Sequence, residues 1–204
     1  MEIERFIEEL SSSSPTPGGG GASGLVAAIG MSLGNMVLSL TNGKKKYAQY
    51  QKDVEECIER ANNITKNLMD AIKKDEEAFT PLSKAYGLPK STKEETEYRE
   101  KVMEEALVLA SQAPLDMMEL ICQAINLIEK ISIIGSRLAI SDAGVGIQFC
   151  KAALNGASLN VFINTKLMKN RECADKMNFK ANELIEEGNS KADRIYQEIL
   201  KELK

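Results

Sequence analysis

From Ser11 to Gly43 the chain carries no charged residue, although 27% of its 204 residues are Asp, Glu, Lys or Arg. A gap of that length in so charged a sequence marks a segment withdrawn from bulk water, which the fold must cover. It holds the run Pro15-Thr16-Pro17-Gly18-Gly19-Gly20 near its start and closes on Asn42-Gly43, ahead of Lys44-Lys45-Lys46-Tyr47. Glycine adopts dihedrals that other residues resist, so Gly18–Gly21 can turn several N–H groups to one side of the chain. Uncharged helix-forming sequence follows at once and sets those donors at a helix N-terminus, where an anion is favoured. Two readings are open: a plain helix entrance, or a loop that holds an anionic ligand. Ala22–Thr41 is the one membrane candidate, but Ser23, Ser32, Asn35, Ser39 and several glycines make a buried helix of a soluble protein the expectation.

The rest of the chain has a helical period. Ile3, Phe6, Ile7 and Leu10 form a short stripe, and Gly30 and Gly34 give the helix over 22–41 a small-residue face that ends at Asn42-Gly43. A third helix is expected from near Lys45 to Tyr86, with Val54, Ile58, Ala61, Leu68, Ile72, Asp75, Phe79 and Leu82 on one face and Pro81 disturbing its end. Ser91/Thr92 with Glu94/Glu95 reads as a capping box. The helix it opens reaches Ala113, where Pro114 kinks it or begins another that runs through Leu115, Met118, Cys122, Ile125, Ile128 and Ile131. A second low-charge, small-residue helix spans 143–168. The last, from 171 to 204, shows Met177, Ala181, Leu184, Gly188, Ala192, Ile195, Ile199 and Leu203 at spacings of three or four. The expected fold is all-α, an elongated bundle of long amphipathic helices around two small-residue-rich inner helices, 22–41 and 143–168, in a single domain.

Composition removes whole classes of chemistry. There is no histidine, which excludes Ser-His nucleophiles, H-E-x-x-H zinc sites and histidine proton shuttles. A net charge of −4 argues against general nucleic-acid binding. Cys57, Cys122, Cys150 and Cys173 form no C-x-x-C pair and read as reduced thiols of a cytoplasmic protein.

Four groups remain that could carry function. Asp75 occupies an apolar position, so it must be paired, hydrogen-bonded, partly solvated or shifted in pKa. Asp142, after Ser141, is either an N-cap or a carboxylate at the mouth of a pocket between helices. Asn160 and Asn164, one turn apart, either bind a ligand or cross-link helices. Lys44-Lys45-Lys46 is a solvated basic corner or meets an anionic substrate.

Taken in order, these pieces carry a resemblance. Pro15-Thr16-Pro17-Gly18-Gly19-Gly20, Met36-Val37, Leu40-Thr41 before Lys44-Lys45, Asp75-x-x-Ala78-Phe79, Ser141-Asp142 and Asn160-Val161-x-Ile163-Asn164 together resemble the cyclodeaminase/cyclohydrolase family of one-carbon folate enzymes. The similarity covers almost the whole chain. It implies an all-helical homodimer or larger assembly that hydrolyses 5,10-methenyltetrahydrofolate to 10-formyltetrahydrofolate, or cyclises 5-formiminotetrahydrofolate with loss of ammonia. The tetrahydrofolate derivative would be the only small molecule required, with no metal or cofactor and with neither nucleic acid nor membrane as partner. Asp142 and Asp75 are expected to line one pocket as catalytic carboxylates, with Lys45 as the basic group. Pro17, Gly18, Gly19, Gly20, Lys44, Lys46, Tyr47, Ser141, Asn160 and Asn164 are expected to bind substrate, the lysines or the glycine loop taking its anionic glutamate tail. A non-catalytic helical binding or scaffold protein is the alternative.

Overall fold

Six α-helices account for most of the computed structural model, which describes residues 2–204: α1 (Ile3–Leu10), α2 (Gly19–Thr41), α3 (Gln51–Tyr86), α4 (Lys93–Ile134), α5 (Ile140–Thr165) and α6 (Arg171–Leu203). Among the described residues there is no strand. Lys45–Tyr50, expected as the start of the third helix, is instead a separate 3-10 turn before α3. Gly43 ends α2 with φ +71°, a conformation open to glycine at little cost. The capping box at the start of α4 is present, with Thr92 and Glu95 each bonding the other's backbone N–H.

α4 runs through Pro114 as one helix. In a regular helix the carbonyl of Ala110 accepts from the N–H of residue 114, which proline lacks. Asn164 supplies the missing donor: its Nδ2 lies 2.7 Å from Ala110 O. The proline is therefore accommodated by a helix-to-helix hydrogen bond from α5.

α2 and α5 run antiparallel in close contact, with α3 beside α2, α6 beside α5, and α4 packed beneath. A Cβ added at Gly30 would lie 2.8 Å from Gly146 O, and one at Gly146 would lie 2.6 Å from Gly30 O, so the two backbones touch. Gly34 does not share that contact and faces Ile128 and Ile131 of α4. The two low-charge helices pack into the bundle as expected, with 12 of the 23 residues of α2 and 13 of the 26 of α5 buried. The interior is built on the second half of α4, where Met117, Met118, Ile121, Leu127, Ile128 and Ile131 are fully buried. α2 and α5 bury one face each and leave Ile29, Met36, Leu40, Val145, Leu159 and Ile163 exposed on the other. Small residues let these two helices press against each other without being wrapped on all sides. α2 is long and apolar enough to cross a membrane by length and composition, with half of its most apolar window buried against protein. α6 buries the stripe expected of it from Met177 to Ile199, while Leu203 at its end is exposed. α1 does not: Phe6 alone is buried, while Ile3, Ile7 and Leu10 face outward.

Candidate active site

The first turn of α2 and the middle of α3 meet at Asp75. A Cβ at Gly20 would lie 2.6 Å from the Asp75 carboxyl carbon, so only glycine leaves room for the carboxylate there. The Gly21 N–H, one of the donors left free at the helix start, favours the charged form of that carboxylate. The glycine run thus has a specific purpose. It admits a carboxylate of the protein itself to the positive end of α2, where the sequence alone allowed an external anion. Burial nevertheless dominates, and with the neighbouring Glu76 charge it pushes Asp75 up from 3.8 to about 6, against the opposing pull of the Gly21 bond. A carboxyl poised near neutrality can both take and return a proton.

The surrounding cleft has a volume of about 200 Å³ and is lined by Pro15, Thr16, Gly18, Gly19, Gly20, Phe79, Ala110, Asn160, Ile163 and Asn164. Asn160 packs beside Gly19, at 3.4 Å from where a Cβ would stand, and its Nδ2 is bonded to Gly156 O at 3.0 Å. Asn164 faces the cleft with its amide already committed to Ala110, so the cross-linking reading of this residue holds for its Nδ2. Pro17 is buried behind the loop against Gly21 and is not part of the lining. Phe79 and Ile163 were not singled out as site residues by sequence. Their signal was position, one turn beyond Asp75 and between the two asparagines.

The remaining expected residues lie elsewhere. Asp142 and Ser141 occupy the first turn of α5, about 27 Å along that helix from Asn160. Within one protomer Asp142 and Asp75 do not share a pocket, because Asp75 lies beside Asn160, five turns along α5 from Asp142. Asp142 is not an N-cap either, since Ala139 holds that position. Lys44, Lys45, Lys46 and Tyr47 follow the far end of α2 and are equally remote from Asp75. Their corner is pinned to the α4–α5 connection: the Thr41 hydroxyl accepts from Ser136 N at 2.8 Å, and Tyr47 Oη accepts from Arg137 N at 3.0 Å. That backbone bond lowers the Tyr47 pKa. Asp142, Lys44, Lys45 and Lys46 make no ion pair among the described residues.

A larger groove of about 840 Å³ runs between α3 and α4. Its carboxylates are open to solvent, and Asp70 is already paired with Lys66 at 3.6 Å. The smaller cleft holds the half-buried Asp75 carboxylate and is the better site. Among the described residues no group of three or more His, Cys, Asp or Glu is arranged to hold a metal.

The family model described as formiminotransferase-cyclodeaminase matches residues 2–183. The chain belongs to this family. It is 38% identical to a methenyltetrahydrofolate cyclohydrolase of Methylorubrum extorquens over 97% of this chain and 95% of that protein. It is 28% identical to the mouse formimidoyltransferase-cyclodeaminase over 93% of this chain, which spans 35% of that longer protein. The crystal structure of a formiminotetrahydrofolate cyclodeaminase from Thermotoga maritima superposes with a TM-score of 0.82 at 28% identity, covering 98% of this chain and 94% of that one. The helical bundle is the fold of that solved relative.

Proposed function

We propose that the protein hydrolyses 5,10-methenyltetrahydrofolate to 10-formyltetrahydrofolate. The observation that carries this reading is a single carboxyl, Asp75, held at a helix N-terminus in a cleft and pushed up to about 6. The substrate's amidinium carbon is attacked by water, which passes a proton to the Asp75 carboxylate. The tetrahedral centre collapses as the carbon–N5 bond breaks: N5 takes the proton back from Asp75, the hydroxyl proton leaves to water, and the formyl group stays on N10. The ionised carboxylate also stabilises the cationic substrate before attack. Similarity to the cyclohydrolase over nearly its whole length supports hydrolysis as the first reading.

The second reading is cyclisation of 5-formiminotetrahydrofolate with release of ammonia, favoured by the likeness to the Thermotoga maritima cyclodeaminase. Proton transfer at the same carboxyl would serve it. Supplying purified protein with each folate separates the two: loss of the methenyl absorbance marks hydrolysis, while its appearance together with ammonia marks cyclisation. If neither folate is consumed, the reading fails.

The protein is further proposed to act as a homodimer in the cytoplasm, with no cofactor beyond its folate substrate. The exposed apolar faces of α2 and α5 support the dimer. Light scattering on detergent-free protein should give twice the chain mass, and a monomer at micromolar concentration would count against it.

A further inference from the structure

The side-chain amide of Asn164 is held in one orientation by the backbone of another helix. A carbonyl oxygen can only accept, so the group 2.7 Å from Ala110 O is the Asn164 amide nitrogen, and the amide oxygen faces the other way. Ala110 O would ordinarily take the N–H four residues on, but that residue is Pro114. Turning the amide over would set two oxygens against each other and leave the Ala110 carbonyl without a donor. Asn160 is under no such constraint. Its Nδ2 bonds Gly156 O at 3.0 Å, a carbonyl of its own helix whose regular partner is the N–H of residue 160. Gly156 O is satisfied whichever way that amide turns, so Asn160 can offer a ligand either oxygen or nitrogen. Asn164 can offer only oxygen.

Asn164 is 6% exposed and lines the Asp75 cleft. Its Oδ1 accepts no hydrogen bond among the described residues and, unlike the enclosed and orphaned Oδ1 of Asn35, is not closed off from that space. The size and charge of the cleft decide which part of a folate reaches it. At about 200 Å³ it falls below the roughly 300–1,000 Å³ of sites that hold a whole ligand, so only part of so large a molecule enters. The glutamate end is anionic, and the lining offers it a carboxylate and no cation. The pterin end carries the reacting carbon, bridging N5 and N10, and Phe79 and Ile163 give its flat ring apolar walls. A tetrahydropterin bears N–H donors at N3, N8 and the 2-amino group and a single exocyclic carbonyl. An amide oxygen accepts from the former and repels the latter.

We propose that Asn164 Oδ1, locked in place by Ala110 O and the missing N–H of Pro114, accepts a hydrogen bond from a ring N–H of the pterin and so selects the donor edge of the substrate. Asn164 is then a specificity-determining residue, and Pro114 a positioning residue that acts through it. The inference rests on the folate reading above.

Asn164→Ala removes both the donor to Ala110 and the acceptor to substrate, so by itself it cannot separate a helix cross-link from a substrate contact. Asn164→Ala combined with Pro114→Ala does: the N–H at position 114 returns a donor to Ala110 O, and only the acceptor in the cleft stays absent. A ring N–H remote from the reacting carbon is bound equally before and during reaction. Steady-state kinetics of the double variant, with the folate that the wild type consumes, should therefore show KM raised about 10-fold or more and kcat little changed, while the urea midpoint recovers. A double variant with recovered stability and wild-type KM reduces Asn164 to a cross-link and overturns the inference. Pro114→Ala alone frees the amide to turn, so KM should rise about two- to fivefold with no loss of thermal stability. An unchanged KM in that variant overturns the lock, and this measurement decides alone should the double variant not fold. Wild-type protein that consumes neither folate sinks the functional reading and this inference with it; normal wild-type turnover beside an unchanged KM in both variants sinks this inference only.

Discussion

Replacing Asp75 with Asn should make the folded protein more stable at neutral pH and less active. The carboxyl is raised from 3.8 to about 6 because the fold buries it, so the folded state disfavours its ionised form. Below pH 4 it is protonated in both the folded and unfolded chain and contributes nothing. Between pH 4 and 6 the unfolded chain ionises while the folded one holds its proton, so stability falls as pH rises. Above pH 6 the whole penalty stands, and a shift of about 2 units corresponds to about 3 kcal/mol. Asn has nearly the same shape, keeps an oxygen to accept from the Gly21 N–H, and carries no charge to desolvate. Urea denaturation of both proteins at pH 4 and at pH 7.5 should therefore give similar stabilities at the lower pH. At the higher pH the variant should gain about 2–3 kcal/mol. Turnover should fall about 100-fold or more. Equal loss of stability at both pH values would refute the argument, because it would mean that the carboxylate supports the fold and is not strained by it.

Three further predictions concern packing in the cleft and between the helices. Gly20→Ala should cut kcat/KM about 100-fold by pushing the Asp75 carboxylate aside, whereas Gly19→Ala, 3.4 Å from Asn160, should leave the fold intact; steady-state kinetics and thermal melts on both variants check this. Asn164→Ala should cost about 1–3 kcal/mol by leaving Ala110 O without a donor, and adding Pro114→Ala should recover part of that loss by restoring the helix N–H, as read by urea denaturation of the single and double variants. Gly30→Ala should cost about 1–3 kcal/mol because its Cβ would meet the backbone carbonyl of Gly146, which has no rotamer by which to yield; a lowered urea midpoint with an unchanged slope is the expected result.

The candidate site was half legible. Asp75 showed itself as a charge on an apolar stripe, and the glycine run as a place where side chains were unwelcome. What neither signal contained was that each explains the other, since the carboxylate fills the space that Gly20 leaves. Asp142 and Lys44–Lys46 stood out by the same kind of reasoning and lie at the other end of the molecule. Motif order along a chain carries no information on which ends of long antiparallel helices meet. Asn164 had two readings, and the choice depended on Ala110 and Pro114, about 50 residues earlier in the chain.

By itself, the sequence determined the all-α class, the approximate extent of most helices, the capping box, the buried stripe of α6 and the chemistry open to a chain without histidine. All of these follow from local periodicity, local hydrogen bonding or composition. Only the tertiary structure decided which helices are interior. α2 and α5 have few charges on any face, so their patterns could not say which side meets protein, and the contact between Gly30 and Gly146 settles it. The same holds for Pro114, whose effect on α4 depends on a donor from α5, and for Asp75, whose pKa is set by how much water the packed helices exclude. Periodicity acts over a few residues, whereas burial and hydrogen-bond partners are properties of segments that the chain brings together only when it folds.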